Sequence, residues 1–476
     1  MKDQIFRRGQ KLVRIVQEEF APLRIETLPR RQRRMLLTPS GELPELPELR
    51  AVVNCPVMTP DGRFLTKRGY DAHTGIYQAC ARPAGAESLP AISEHPNTEE
   101  VQLAKDWLLE LVCDFPFAEP KDRSAWLAGL LTPFVRHAYD GPTPLFLVDK
   151  NGPMTGGTLL CDITAVIATG VLAPRLCPDM TEEEAPKLIT SVAQHGYQMV
   201  VLDTICKPFG TAALNSMLTA TGWQSRTLGT SEVEHWPLLT VWWACGNNVQ
   251  LNPDTSRRVL PIRLHLQTPN PEARPDESFQ HADLFSYVVA HRAVYLHAVM
   301  TLLRAFMQSE AAQKIEVSPW GSYSAWSNIV RKLILWLGLP DPLQRRQKYY
   351  LLKTNLPQHS DYLALWWRPM ASGYTTNLDQ AGIYEEEAAF GYAGADAVAV
   401  RYEDARSAAF PVVSIADAEG WFPPRPKVKH QPRRCASCTR FVRRDGWLCS
   451  ACQDKEMNTG KATVIHYDES AAREVW

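Results

Sequence analysis

The stretch from Pro144 to Gly170 constrains the fold of this chain more than any other. Pro144-Leu-Phe-Leu-Val-Asp149 is a short apolar run, Lys150-Asn-Gly-Pro-Met-Thr-Gly-Gly-Thr158 is a glycine-rich turn, and Leu159 to Gly170 reads as a helix. Such a strand–turn–helix unit aims backbone N–H groups at the helix start, where phosphates are held. A phosphate-binding loop ends Gly-Lys-Ser/Thr, whereas the last three residues here are Gly156, Gly157 and Thr158. The turn and the hydroxyl are kept, but the lysine that reaches the β/γ oxygens is missing. Taken alone, the segment also fits a plain turn between strand and helix.

A chain of 476 residues exceeds one ordinary core, so two or three domains are expected. With 45% hydrophobic and 22% charged residues it has a globular composition. The net charge of −1 hides an uneven distribution. The first ~35 residues and Arg425 to Arg444 are basic, and Asp379 to Glu419 leans acidic. Basic stretches of this kind suit a polyanion partner or a solvated charged face. The chain opens without a secretory h-region and has no apolar run long enough to span a bilayer, which implies a cytoplasmic protein with no membrane partner.

Along the chain, Val52 to Gly62 reads as a strand entering a turn at Asp61-Gly62, with Phe64 to Thr66 returning. Arg82 to Pro96 is a plausible linker, and helices are expected from Thr98 and over Asp122 to His137. Three further apolar runs follow: Gln198 to Asp203, Leu238 to Cys245 and Val259 to Leu264. Strands alternating with helical stretches predict an α/β fold with a parallel sheet. The expected division is a small mixed α+β unit over 1–95, an α/β core over 96–280, a helical and mixed extension over 281–420, and a basic linker, metal module and tail over 421–476.

Order and spacing carry more than the loop alone. An apolar strand ends in Asp203, 45 residues after Thr158, where an acid that holds Mg²⁺ through water would stand. Another strand ends in Asn247-Asn248, 44 residues after Asp203, and Asp254-Thr-Ser-Arg257-Arg258 precedes the next. Each also has an ordinary structural reading: a cap, a left-handed turn, a surface pair. His137, His195, His235 and His281 lack partners at ligand spacing, and no Ser/His/Asp or Cys/His arrangement stands out. No carboxylate cluster supports a nuclease or a primase.

The series resembles the AAA-like ATPase module of superfamily-3-type helicases found in primase/helicase proteins of phages, plasmids and integrated elements. The matching residues include Asp114-Phe-Pro-Phe117, Leu131-Thr-Pro133, Val201-Leu-Asp203, Trp223, Arg226, Gly246-Asn-Asn248, Arg257-Arg-Val-Leu-Pro-Ile-Arg263 and Leu337-Gly-Leu-Pro-Asp-Pro342. With the segment from Pro56 to Gly75 the likeness spans roughly residues 50 to 342. It implies an AAA-like P-loop NTPase core and a homo-oligomeric ring, a hexamer, that binds ATP and acts on single-stranded DNA in replication of a mobile element. On that likeness Lys150, Gly156, Gly157, Thr158 and Asp203 would bind nucleotide and Mg²⁺. Asp203, Asn247, Arg257 and Arg258 would be catalytic, the arginines reaching a neighbour's γ-phosphate.

Gly157 stands where the family has lysine, Asn151 and Met154 replace loop glycines, and Thr204 replaces a second acid. Three readings stay open: a site binding nucleotide weakly or not at all, hydrolysis through a relocated cation with Lys150 first in line, and a scaffold. The non-enzymatic alternative is a DNA- or protein-binding adaptor.

Cys435-Ala-Ser-Cys438, ten residues, then Cys449-Ser-Ala-Cys452 have the spacing of a four-thiolate structural zinc ribbon. Arg433, Arg434, Arg440, Arg443 and Arg444, with Phe441 and Trp447 among them, suit nucleic acid. The two aromatics equally suit the ribbon's own small core.

Overall fold

The structure is a computed structural model. It describes residues 5–8, 11–16, 23–29, 31–32, 36, 46–79, 91–176, 181–205, 208–226, 233–266, 279–344, 348–353, 366–369, 372, 374–375, 378–385, 397–402 and 405–406. The chain forms two compact units, Met1–Arg345 and Arg346–Trp476.

The first unit begins with small sheets. Strands β1 (Ile5–Arg8), β2 (Lys11–Val16) and β3 (Arg24–Thr27) form an antiparallel meander. Then come β4 (Ala51–Val53), the hairpin β5 (Val57–Met58) and β6 (Phe64–Leu65), and β7 (Gly69–Asp71) with β8 (Ile76–Gln78). The hairpin turns at Asp61-Gly62, with Gly62 left-handed at φ 79°, as that dipeptide predicts. Several of the described basic residues at the start of the chain are paired inside this unit. Arg7 pairs with Glu48, Lys11 with Glu234, and both Arg14 and Arg24 with Glu26.

Helices α1 (Thr98–Glu110) and α2 (Pro120–Val135) follow. α1 starts on a capping box in which the Asn97 side chain accepts from the Glu100 N–H and Glu100 accepts from Asn97. α2 is buried almost throughout and packs beneath the sheet. A Cβ at its Gly129 would lie 2.5 Å from Trp243, so only glycine lets that indole seat against the helix. Trp126, Trp243 and Trp326 are fully buried, and Phe146 stacks on Trp243 at 5.2 Å.

The core alternates β9 (Leu145–Lys150), α3 (Gly157–Thr169), β10 (Arg175–Leu176), α4 (Glu184–His195), β11 (Met199–Ile205), α5 (Ala212–Met217), the hairpin β12 (Gly222–Arg226) and β13 (Val233–Pro237), β14 (Val241–Asn247), α6 (Pro253–Ser256) and β15 (Val259–Leu264). Five strands make one all-parallel sheet in the order β10-β11-β14-β9-β15. Both faces are covered, which is why the strands are continuous apolar runs. Val241, Trp243 and Cys245 face one cluster with α2 and α3, whereas Trp242 and Ala244 face another with α4 and α5. Because every strand runs the same way, all C-terminal ends meet at one rim.

Helix α7 (Leu284–Gln308) packs along α1 and α3, followed by α8 (Glu310–Gln313), α9 (Ser324–Trp326), a π-helical turn at Ser327–Arg331 and α10 (Lys332–Trp336). The Leu337-Gly-Leu-Pro-Asp-Pro342 segment is anchored by Asp341, which accepts from Arg331 Nε at 2.8 Å and Nη2 at 2.5 Å. No helix among the described residues is long and apolar enough to cross a membrane.

In the second unit, β16 (Lys348–Lys353) pairs antiparallel with β17 (Trp366–Trp367), and β18 (Tyr374–Thr375) pairs with β17. Strands β19 (Tyr384–Glu385) and β20 (Ala397–Arg401) also pair antiparallel with β16. Leu351 and Tyr384 form a small buried cluster.

Candidate nucleotide site

The rim at the C-terminal ends of β9, β11 and β14 brings together Lys150, Gly156, Gly157, Thr158, Asp203 and Asn247. β14 lies between the loop strand and the strand of Asp203, with Asn247 in register with Lys150. The rim is fastened by its own backbone. Asn248, left-handed at φ 48°, donates its N–H to the Lys150 carbonyl at 2.8 Å, and the Asp149 carboxylate accepts from the Val249 N–H at 2.9 Å. Burial pushes the Asp149 carboxyl above its usual range, against the pull of that bond and of Arg263.

The loop itself is held at both ends. Asn151, where a glycine is expected on the likeness, extends the ladder of β15: its side chain accepts from the Leu266 N–H at 3.0 Å and donates to the Leu266 carbonyl at 2.9 Å. Met154 is left-handed at φ 57° and exposed, a conformation costing a non-glycine residue about 1 kcal/mol. Gly156 is left-handed at φ 82°, and a Cβ there would sit 3.0 Å from the Phe115 ring. The Asp114-Phe-Pro-Phe117 segment therefore forms one wall of the loop. It is pinned to β15 by the Ala118 N–H to Arg263 and the His265 N–H to Pro116.

Gly157 opens α3 with ordinary helical geometry, and its lack of a side chain has a steric reason. A Cβ at 157 would lie 2.5 Å from Lys150 Cδ and 3.0 Å from its Cγ. The Lys150 stem thus runs through the space that a side chain at position 157 would leave from.

Cys245 on β14 sits among the other groups. Its thiol is held below the usual range mainly by hydrogen bonding with Cys161; burial opposes this, the Lys150 charge assists, Asp203 opposes, and the Thr158 hydroxyl assists. Cys161 and Cys245 are both buried free thiols.

Asp203 is already engaged. Arg175, on the two-residue strand β10, lies 3.7 Å from its carboxylate and 2.5 Å from Asp162 of α3. Asp162 holds the Arg175 guanidinium above its ordinary range, while burial raises the Asp162 carboxyl against the pull of Arg175. Thr204, left-handed at φ 62°, turns its N–H back to the Asp203 side chain at 2.8 Å. Sequence reasoning missed Arg175 because a two-residue edge strand gives no periodic signal.

Arg257 and Arg258 are elsewhere. They precede β15, whose first residue Val259 pairs with Leu145, whereas the loop leaves β9 after Lys150, about 17 Å along the strand. Arg257 pairs with Asp254 on the surface, and Arg258 donates to the Asp254 carbonyl. Within one chain neither arginine belongs to the loop site. Cys435, Cys438, Cys449 and Cys452 lie outside the described residues. Among the described residues no group of three or more His, Cys, Asp or Glu could hold a metal ion.

No family model matches the chain, and no curated protein does. Solved structures are similar to it at low levels. The apo A form of the NrS-1 C-terminal region is 10% identical over 68% of each chain, with a TM-score of 0.36. JCV helicase is 13% identical over 50% of this chain and 66% of its own, with a TM-score of 0.23. The active helicase Cch of SCCmec type IV is 15% identical over 62% of this chain and 58% of its own, with a TM-score of 0.29.

Proposed function

We propose that the chain is a P-loop nucleotide-binding protein of the ring-helicase type, acting in DNA replication of a mobile element, in which Lys150 takes the place of the missing loop lysine. The observation that carries this reading is the Lys150 stem passing through the cradle that Gly157 leaves empty. A cation at the start of α3 is what a phosphate there requires, and glycine at 157 is what lets this one arrive.

The residues present fit a nucleoside triphosphate with Mg²⁺. Backbone N–H groups at the start of α3 and the Lys150 ammonium would hold phosphates, and Thr158 and Asp203 would hold the metal. Asn247 stands where it could orient water or sense the terminal phosphate. Bound Mg²⁺ would supply charge neutralisation on the phosphates. Arg257 and Arg258, remote in their own subunit, would act only across a subunit boundary, as a ring allows. The four cysteines would hold one structural zinc, and the arginines around them would contact single-stranded DNA.

One observation favours the second reading, a nucleotide-indifferent DNA- or protein-binding adaptor: Arg175 sits beside the acid that should hold the metal. ATP titration with and without Mg²⁺ separates the two. The nucleotide reading expects Mg²⁺ to tighten binding, and Asp203→Asn to remove about 30-fold of that tightening, the worth of one charge-assisted contact of roughly 2 kcal/mol. Tight, salt-sensitive DNA binding with no ATP binding at all would favour the adaptor.

Metal analysis should find one zinc per chain, lost in Cys438→Ser, because a four-thiolate site deprived of one ligand binds far more weakly. A full metal complement in that variant would count against the ribbon.

A further inference from the structure

At the opposite rim of the sheet, two adjoining cavities of about 200 Å³ and about 20 Å³ share Arg50, Arg136 and His137 in their walls. Arg136 follows α2 and is 4% exposed. Its Nη2 donates to the Leu238 carbonyl at 2.8 Å and its guanidinium lies over Tyr139, but its buried Nε has no hydrogen-bond partner among the described residues. Arg8 lines the smaller cavity and repeats the pattern. It donates to the Gln194 and Ala193 carbonyls at the end of α4 and leaves its buried Nε without a partner among the described residues.

Among the described residues neither arginine has a carboxylate within ion-pair distance. Arg50 has only Asp140, 3.9 Å away and fully exposed at the mouth, while Asp61 is tied to Arg63 and Thr59. The uncompensated charge is felt nearby. Burial first, then Arg136 and Arg50, push His137 down to about 3, and burial pushes Arg8 down to about 10. A buried guanidinium with an unpaired donor is costly to keep charged, and an anion in the adjoining cavity would offset that cost.

We propose that this cavity pair binds a phosphate group, as the dianion of inorganic phosphate or of a phosphate monoester, with Arg136 and Arg50 as its ligands and Arg8 behind them. A tetrahedral dianion draws charge-assisted contacts from two guanidinium groups better than a single carboxylate does, and the larger cavity holds a phosphate with part of its ester group. The site is distinct from the loop, since Arg136 to Gly141 precede the start of β9 and the loop follows its end.

The test is calorimetric titration of the full chain with inorganic phosphate, and with an oligonucleotide carrying either a 5′-phosphate or a 5′-hydroxyl, at constant ionic strength set with chloride. In the Lys150→Ala background, which weakens phosphate contact at the loop, phosphate should still bind, and should bind at least tenfold more weakly once Arg50→Ala or Arg136→Gln is added. Arg50 is more than half exposed, so its variant keeps the test meaningful even if Arg136→Gln fails to fold. Preference for the 5′-phosphorylated strand over the 5′-hydroxyl strand would identify a strand end as the source, and binding of inorganic phosphate alone would identify the free ion. Binding that is undiminished when Arg50→Ala is added to Lys150→Ala, or no phosphate binding in the Lys150→Ala background, would overturn the proposal. In that case the arginines are internal struts between the N-terminal sheets and the core.

Discussion

Replacing Lys150 with alanine is expected to weaken ATP binding about 30-fold while leaving the fold intact. The factor follows from a charge-assisted contact worth roughly 2 kcal/mol. Lys150 ends β9 at the rim and is partly exposed rather than part of the buried core, so its loss opens no core cavity. The partner variant is more diagnostic. In Gly157→Ala the new methyl would lie 2.5 Å from Lys150 Cδ, so the stem must swing away from α3. ATP affinity should fall about tenfold even though no charge is removed, the cost of displacing most of that contact. Stability should stay within about 1 kcal/mol of native, the helix preference for alanine offsetting the 3.1 Å approach of the methyl to Val148 Cγ1. A binding loss accompanied by near-native stability is hard to reach by general damage. Equal ATP affinity in native, Lys150→Ala and Gly157→Ala chains would remove Lys150 from the site.

Arg292→Ala should produce the largest loss of stability, about 3–5 kcal/mol in urea unfolding. Arg292 is 5% exposed in the middle of α7 and joins three parts of the first unit. Its Nε donates to the Val166 and Ile167 carbonyls near the end of α3, at 2.8 and 3.1 Å, and its Nη2 donates to the Asn54 carbonyl at 2.8 Å. Asn54 in turn donates to the Thr169 carbonyl in the last turn of α3, and a Cβ at Gly170 would lie 3.3 Å from the Arg292 guanidinium. Alanine would leave buried carbonyls without donors and a void beside them. Arg292→Lys, with one ammonium in place of a fork, should fall between native and alanine. A loss below about 1 kcal/mol in the alanine variant would show that water or a neighbour replaces these bonds.

Much of the architecture was legible because the parallel sheet is covered on both faces. Covered strands read as unbroken apolar runs, and those ending near Asp149, Asp203 and Asn247 are β9, β11 and β14, with one rim holding all three residues. The start of the chain was not legible in the same way. Its arginines and lysines read as a basic surface, yet Lys11 meets Glu234 on β13 and Arg8 reaches the end of α4, contacts more than 180 residues distant in sequence. Strand order was also hidden, since a two-residue strand such as β10 carries no alternation.

At the site, sequence reasoning read Gly157 as a loss and Lys150 as one candidate replacement. Their steric link depends on where a strand end and a helix start meet, which spacing does not encode. For the same reason the Arg175 contact to Asp203 and the Phe115 wall over Gly156 emerge only from the folded chain.

The central claim is that the loop cation has moved from position 157 to position 150. The most direct test is ATP binding by the exchange variant Lys150→Ala/Gly157→Lys, titrated beside the native chain and Lys150→Ala. The account predicts that native and exchange chains bind within about fivefold of each other, with the single variant about 30-fold weaker, since one charge-assisted contact is restored from the other position. An exchange variant no better than Lys150→Ala, or a native chain that does not bind ATP, would contradict it.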